Sequence, residues 1–183
     1  APPIFFAHTV APRSALGVDL DIAAGVGPVI AQPIRTRADL AQLRDLTPED
    51  IPDIAESVRL LTAELGGTPL IGFAGAPFTL ASYLVEGGPS KNHEHTKALM
   101  HGDPQLWHDL CAQLAQISGT FLRVQAQAGA SVVQLFDSWA GSLAPADYRS
   151  TVLPASNAAL DPVRALRVPD GVGIDHIPLI HFG

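Results

Sequence analysis

A chain of 183 residues, 47% apolar and only 16% charged, has the material for one globular domain with a substantial core and is too apolar for a disordered one. Its formal charge of −7 argues against a nucleic-acid partner, which calls for a basic face. No run approaches the roughly 18 apolar residues of a membrane helix, the opening Ala1-Pro2-Pro3-Ile4 has no basic leader, and the single cysteine, Cys111, allows neither an internal disulfide nor a cysteine-rich zinc site. A cytoplasmic setting without a membrane partner is expected.

In chain order, residues 4–10 read as a short buried strand bounded by prolines. Val18-Asp19-Leu20-Asp21-Ile22 alternates apolar and acidic residues, Gly25-Val26-Gly27-Pro28 turns the chain, and Val29-Ile30 starts a return, which predicts a β-hairpin with one wet face. Residues 36–43 suggest a short helix. Thr47-Pro48-Glu49-Asp50 has the chemistry of a helix start: a capping hydroxyl, a proline at the first position and two acids at the positive end of the dipole. Ile51, Ile54, Ala55, Val58, Leu61 and Leu65 continue it at helical spacing until Gly66-Gly67. A strand over residues 69–73 follows, then a turn of small residues and a helix bearing Tyr83. Asp103-Pro104 opens a long helix through Leu106, Leu110, Leu114, Ile117, Phe121 and Val124 that stops near Gly129. Residues 131–136 are a continuous apolar strand. Residues 146–153 and 155–166 suggest helices separated by Pro154, and residues 177–182 a last strand. Helices alternating with fully apolar strands predict a parallel sheet buried on both faces, which an α/β barrel and a doubly wound sheet satisfy equally. A whole eight-unit barrel takes about 250 residues, more than this chain has.

Several residues could carry chemistry, each with a plainer alternative. Tyr83, a turn into its helix, can point a hydroxyl at a carboxylate, or be a half-buried tyrosine bonded to a carbonyl. Ser138 ends a strand, where it can bind a ligand or cap the next turn. Phe73 and Phe136 end two strands, as pocket wall or as core. Asp137 is a possible acid or base, though structural hydrogen bonds suit its place better. Gly72, Gly75, Gly87 and Gly88 fit neither a dinucleotide fingerprint nor a P-loop. His93, His95, His101 and His108 do not converge at helical spacing and read as a solvated polar surface rather than a metal site.

The strings Gly72-Phe73-Ala74-Gly75-Ala76-Pro77-Phe78-Thr79-Leu80-Ala81-Ser82-Tyr83-Leu84-Val85-Glu86-Gly87-Gly88 and Val132-Val133-Gln134-Leu135-Phe136-Asp137-Ser138-Trp139-Ala140-Gly141 resemble the uroporphyrinogen decarboxylases, over about residues 4–154. The resemblance implies a (β/α)8 barrel, of which residues 1–183 would form roughly the first half as a single incomplete domain, with the hairpin as an excursion after the first strand. It implies decarboxylation of the four acetate side chains of uroporphyrinogen to give coproporphyrinogen, in haem biosynthesis, with no metal and no cofactor. A cytoplasmic homodimer is the usual family form. Tyr83 and Ser138 fall on positions that hold substrate carboxylates, and Phe73 and Phe136 would wall an apolar pocket for the macrocycle.

At one position the chain departs from that pattern. Within Phe5-Phe6-Ala7-His8-Thr9, His8 takes the place of the family's central aspartate. A carboxylate accepts bonds from several pyrrole N–H groups, whereas a neutral imidazole accepts one and an imidazolium none. His8 therefore predicts weak binding of the macrocycle and little turnover. The family's arginine pair and late histidine have no counterpart within the chain. A non-catalytic porphyrinogen-binding or pairing protein is the rival reading. Third comes a relative of the corrinoid-dependent methyltransferases, which share the fold; the placing of Cys111 in a helix rather than at a strand end disfavours it.

Overall fold

The computed structural model describes residues 16–18, 20–23, 27–166 and 176–183. The strand expected over residues 4–10, His8 within it, and residues 167–175 lie outside the described residues.

The first described elements are β1 (Leu20–Ala23) and β2 (Gly27–Ile30), an antiparallel ribbon in the register Leu20↔Ile30. The ribbon is anchored where it leaves β2: the Ile30 N–H donates to the Gly87 carbonyl (2.8 Å) and the Ile34 N–H to that of Leu84 (2.9 Å). Gly87 can take this place because its φ is +81° and a Cβ there would lie 2.6 Å from Pro33 Cγ. Gly87→Ala should cost about 2 kcal/mol, roughly half from the left-handed backbone and half from displacing the proline ring. Urea unfolding of the two proteins measures it, and a loss below about 0.5 kcal/mol refutes the packing argument.

The first two helices differ from the sequence expectation, one at its end and one at its start. The helix α1 (Arg37–Leu40) is one turn long, opened by a capping box in which Thr36 Oγ1 accepts from the Asp39 N–H and the Asp39 carboxylate accepts from the Thr36 N–H. It stops early because Leu43 is drawn into the core and the Arg44 N–H turns to the Leu16 carbonyl. Thr47 does form a capping box with Asp50, yet Pro48–Asp50 is only a 3₁₀ turn. The long helix α2 begins at Pro52 (Pro52–Leu65), because a residue that precedes proline is pushed out of the α region and Ile51 sits at φ −132°, ψ 46°.

The core is a parallel sheet of β3 (Ile71–Gly75), β4 (Val132–Phe136) and β5 (Leu179–Phe182), in the order β3-β4-β5. Between β3 and β4 run α3 (Pro77–Glu86), α4 (Glu94–Gly102) and α5 (Pro104–Ala128). Between β4 and β5 run a 3₁₀ turn (Ala140–Ser142), α6 (Pro145–Asp147), a π turn (Tyr148–Val152) and α7 (Leu153–Arg164). The expected break at Pro154 is displaced. A proline in the first turn of a helix gives up an N–H that has no partner anyway, so α7 accepts Pro154 and the irregularity falls in the π turn before it. Gly119 lets α5 and α7 approach closely, since a Cβ there would meet the Ala159 carbonyl at 2.9 Å.

One face of the sheet packs on α5. Gly72 lies under Gln125, and Val133 and Leu135 are fully buried. The alternation of a strand sends Phe73, Phe136 and Phe182 to the opposite face, where their rings touch in series.

Candidate functional site

Three strands ending side by side bring their following residues together. The chain leaves β3 by way of Ala76, whose N–H donates to the Phe136 carbonyl (2.7 Å), and enters α3 at Pro77. It leaves β4 at Asp137, whose N–H donates to the Phe182 carbonyl (2.6 Å). The Asp137 side chain is fully buried. Its Oδ1 accepts from the Thr79 hydroxyl (3.0 Å), its Oδ2 has no hydrogen-bond partner, and His181 Nε2 stands 3.9 Å from that oxygen. Asp137 thus ties the start of α3 to the ends of β4 and β5.

Ser138, next in the chain, is exposed. Trp139 follows, with its ring 4.3 Å from that of Tyr83 and 4.8 Å from that of His93. The indole therefore joins Tyr83 on α3 to the Ser138 segment beyond β4. Burial raises the Tyr83 phenol above its ordinary value of 10.0, so the group is a protonated hydrogen-bond donor at neutral pH. Phe73 is buried and meets Phe136 edge-on at 5.3 Å, and Phe136 meets the half-exposed Phe182 at 5.0 Å. Of the residues singled out in the sequence, Tyr83 meets Trp139, the neighbour of Ser138, while Phe73 and Phe136 form an apolar ridge on one face of the sheet. His8 lies outside the described residues.

His93 corrects the sequence reading. His95, His101 and His108 are exposed, but His93 is 4% exposed and packs against Trp139 and Phe78. The residue caps α4 with a left-handed backbone, which turns its ring inward where simple helical spacing would place it at the surface. Burial lowers its pKa below 6.5, Glu86 opposes that shift and Lys97 adds to it. A folded histidine that binds its proton less readily than the unfolded one stabilises fully above the unfolded value and loses that stability as pH falls through it. The urea midpoint should therefore drop as pH is lowered from about 7.5 to below 6.5, and His93→Phe should flatten that step; an equal slope in both proteins refutes the assignment.

Two residues of this region, Trp139 and Phe182, escaped the sequence reading. Trp139 directly follows Ser138, and Phe182 ends a strand by the same rule that selected Phe73 and Phe136. A small apolar cavity of about 20 Å³, lined by Tyr83, Leu80, Leu84, Leu114, Ile117 and Phe121, has room for about one water and none for a macrocycle. Among the described residues no group of three or more His, Cys, Asp or Glu could hold a metal ion, and no helix is long and apolar enough to cross a membrane. Cys111 is buried in α5, which raises its thiol pKa, and the Asp137 charge raises it further.

Comparison with known proteins places this geometry. The chain resembles a methyltransferase from Methanosarcina mazei in structure, with a TM-score of 0.64 over 89% of this chain and 49% of that one; at 16% identity this supports the α/β fold alone. In sequence it is 68% identical to the uroporphyrinogen decarboxylase of Streptomyces griseus over 180 residues, 98% of this chain and 47% of that protein. The corresponding protein of Streptomyces avermitilis is 66% identical (98% and 48%) and that of a Nocardioides species 59% identical (98% and 50%). The chain spans about half the length of the curated relatives it matches. The family description "Uroporphyrinogen decarboxylase (URO-D)" matches residues 3–183. With strand ends, turn and aromatic ridge all inside that match, the chain belongs to the uroporphyrinogen decarboxylase family.

Proposed function

We propose that this chain is part of a uroporphyrinogen decarboxylase, and that residues 1–183 form one portion of a (β/α)8 barrel with the β1–β2 ribbon as an excursion from it. The sequential order β3-β4-β5, with no reversal of direction across the sheet, supports a barrel over a doubly wound sheet, which needs a switch point. The observation that carries the functional reading is the meeting of Tyr83 and the Ser138 segment across Trp139, at the strand ends where such barrels keep their sites. The whole protein acts as a cytoplasmic homodimer in this reading.

The two hydroxyls bind carboxylate side chains of the tetrapyrrole, and the ridge of Phe73 and Phe136 lies against its apolar body. Each cycle converts one acetate to a methyl. A proton added to the pyrrole turns the ring into an electron sink, and the bond from the methylene carbon to the carboxylate breaks. Its electron pair enters the ring and carbon dioxide leaves. The methylene carbon then takes a proton as the pyrrole gives one up. The cationic intermediate favours a nearby carboxylate, and His8 supplies none.

The test is anaerobic incubation with reduced uroporphyrinogen, oxidation, and chromatography of the porphyrins by carboxylate number. Products with fewer carboxylates support the reading. A protein that neither decarboxylates the reduced substrate nor binds the oxidised porphyrin overturns it. The substitution at His8 favours a second reading, a non-catalytic porphyrinogen-binding protein, to which binding without turnover would point. Within the complete protein, His8→Asp should raise turnover about tenfold, the worth of one charge-assisted interaction. Equal turnover would remove any role for that position.

A further inference from the structure

His93 combines three features that are each unfavourable in isolation. Among the described residues it is the one non-glycine with positive φ (+53°), a conformation that L side chains resist. Its ring is buried, and Nδ1 has no hydrogen-bond partner, which leaves a polar atom desolvated without return. It stands at the helix N-cap, yet its side chain makes no capping bond. Capping therefore does not account for the residue.

Its contacts do. The backbone is held on both sides: the His93 N–H donates to Ser90 Oγ (3.0 Å), and its carbonyl accepts from the Lys97 N–H (2.9 Å). So fixed, the imidazole packs 4.8 Å from Trp139 and 6.2 Å from Phe78, itself fully buried. Trp139 meets Tyr83 at 4.3 Å, tilted by 46°. The three rings link the head of α4, the segment after β4 and the middle of α3. Strain held by surrounding contacts is characteristic of positions under functional demand.

We propose that His93 is a positioning residue: its ring presses Trp139 against Tyr83 and so sets the Tyr83 hydroxyl, together with the Ser138 segment, for a substrate carboxylate. This rests on the decarboxylase reading for its ligand, whereas the ring stack itself does not. The imidazole acts through Trp139 and touches no substrate.

The test uses the complete protein, its His93→Asn and His93→Phe variants, and each of these again with Trp139→Leu. Asparagine tolerates the left-handed backbone but has no ring to stack; phenylalanine restores a ring. Two signals are read: tryptophan emission without ligand, and binding of oxidised uroporphyrin followed by porphyrin absorbance. Phe78 lies against both His93 and Trp107, so the emission change assigned to Trp139 is the part that disappears in the Trp139→Leu background. His93→Asn should shift the emission to the red and weaken binding about three- to tenfold, the worth of one aromatic pair. His93→Phe should restore both in protein whose circular dichroism is native. In the Trp139→Leu background, His93→Asn should weaken binding no further.

Unaltered emission in His93→Asn overturns the stack. Altered emission with unaltered porphyrin binding overturns the positioning role, as does an undiminished effect of His93→Asn when Trp139 is absent. A wild-type protein that binds no porphyrin overturns the decarboxylase reading and with it the carboxylate role, while the emission result still decides whether the stack exists.

Discussion

Gln125→Leu is expected to destabilise the protein by about 3–4 kcal/mol, more than any other single change on α5 that preserves volume. Gln125 is fully buried and makes three hydrogen bonds. Its Oε1 accepts from the Phe73 N–H (2.9 Å), and its Nε2 donates to the carbonyls of Phe73 (3.0 Å) and Phe121 (3.1 Å). Leucine has nearly the same volume, so the loss reports the hydrogen bonds and not a cavity. Each buried bond is worth about 1 kcal/mol net, and more when its partner stays desolvated. The site is built for this side chain, because Gly72 beneath it has no Cβ; one would stand 3.1 Å from Gln125 Oε1. Urea unfolding gives the value, and a loss under about 1 kcal/mol would show that these bonds are readily replaced. Ser118→Ala, which removes the bond from the Ser118 hydroxyl to the Gly75 carbonyl (2.8 Å), is the milder comparison at about 1 kcal/mol.

These two polar side chains also explain how α5 reaches the candidate site. Apolar packing presses a helix against a sheet but leaves it free to slide by a fraction of a turn. Gln125 and Ser118 bond to the backbone of Phe73 and Gly75, two residues apart on β3, and so fix the register of the helix on the strand. Gly75 precedes the turn that opens α3, and α3 carries Tyr83. The position of the phenol thus depends on buried hydrogen bonds far from it in sequence.

The parts of the fold that were legible in the sequence are those decided within one element. The cap at Asp103 and the apolar run of β4 follow from local chemistry, and the structure has them where that chemistry puts them. The strand expected over residues 69–73 is instead β3 at Ile71–Gly75: the small residues Ala74 and Gly75, expected in the turn, continue the strand because they are buried in the sheet and paired with Leu135 and Phe136, which leaves Phe73 in mid-strand and only Ala76 before the helix. Thr47-Pro48 misled because two local rules compete there. A good cap is present, but Pro52 excludes Ile51 from the helix, and the rule about proline has the stronger steric basis. His93 was illegible for a different reason. Its burial depends on Trp139 and Phe78, which lie on two other segments, and on a backbone sign that no side-chain pattern encodes. The meeting of Tyr83 with the Ser138 segment is of the same kind, since an indole brought across from the next unit joins them.

Asp137→Ala should cost about 2–3 kcal/mol and should also lower the pKa of Tyr148, and the two readouts test different statements. The stability loss comes from the Thr79 hydroxyl, 5% exposed, which loses its carboxylate acceptor; His181 at 3.9 Å is too far to add a hydrogen bond to that carboxylate. Asp137→Asn keeps an oxygen for Thr79 and removes the buried charge, so it should stay within about 1 kcal/mol of the parent. The second readout concerns that charge. Burial is the main cause of the raised Tyr148 phenol, the Asp137 carboxylate adds to it, and a bond with Ser156 opposes it. Removing the negative charge makes the phenolate easier to form, so Tyr148 should titrate at lower pH in both variants. Tyr83, the only other tyrosine, is raised by burial with no contribution from Asp137, and serves as the internal reference. Ultraviolet titration resolves the two. If both variants leave Tyr148 unmoved, Asp137 is not charged beside it; if Asp137→Ala is as stable as the parent, the carboxylate does not tie α3 to the end of β4. Loss of stability in alanine alone, with the Tyr148 shift in both, would establish a buried tie between α3 and the end of β4, made by a side chain that carries a charge beside Tyr148.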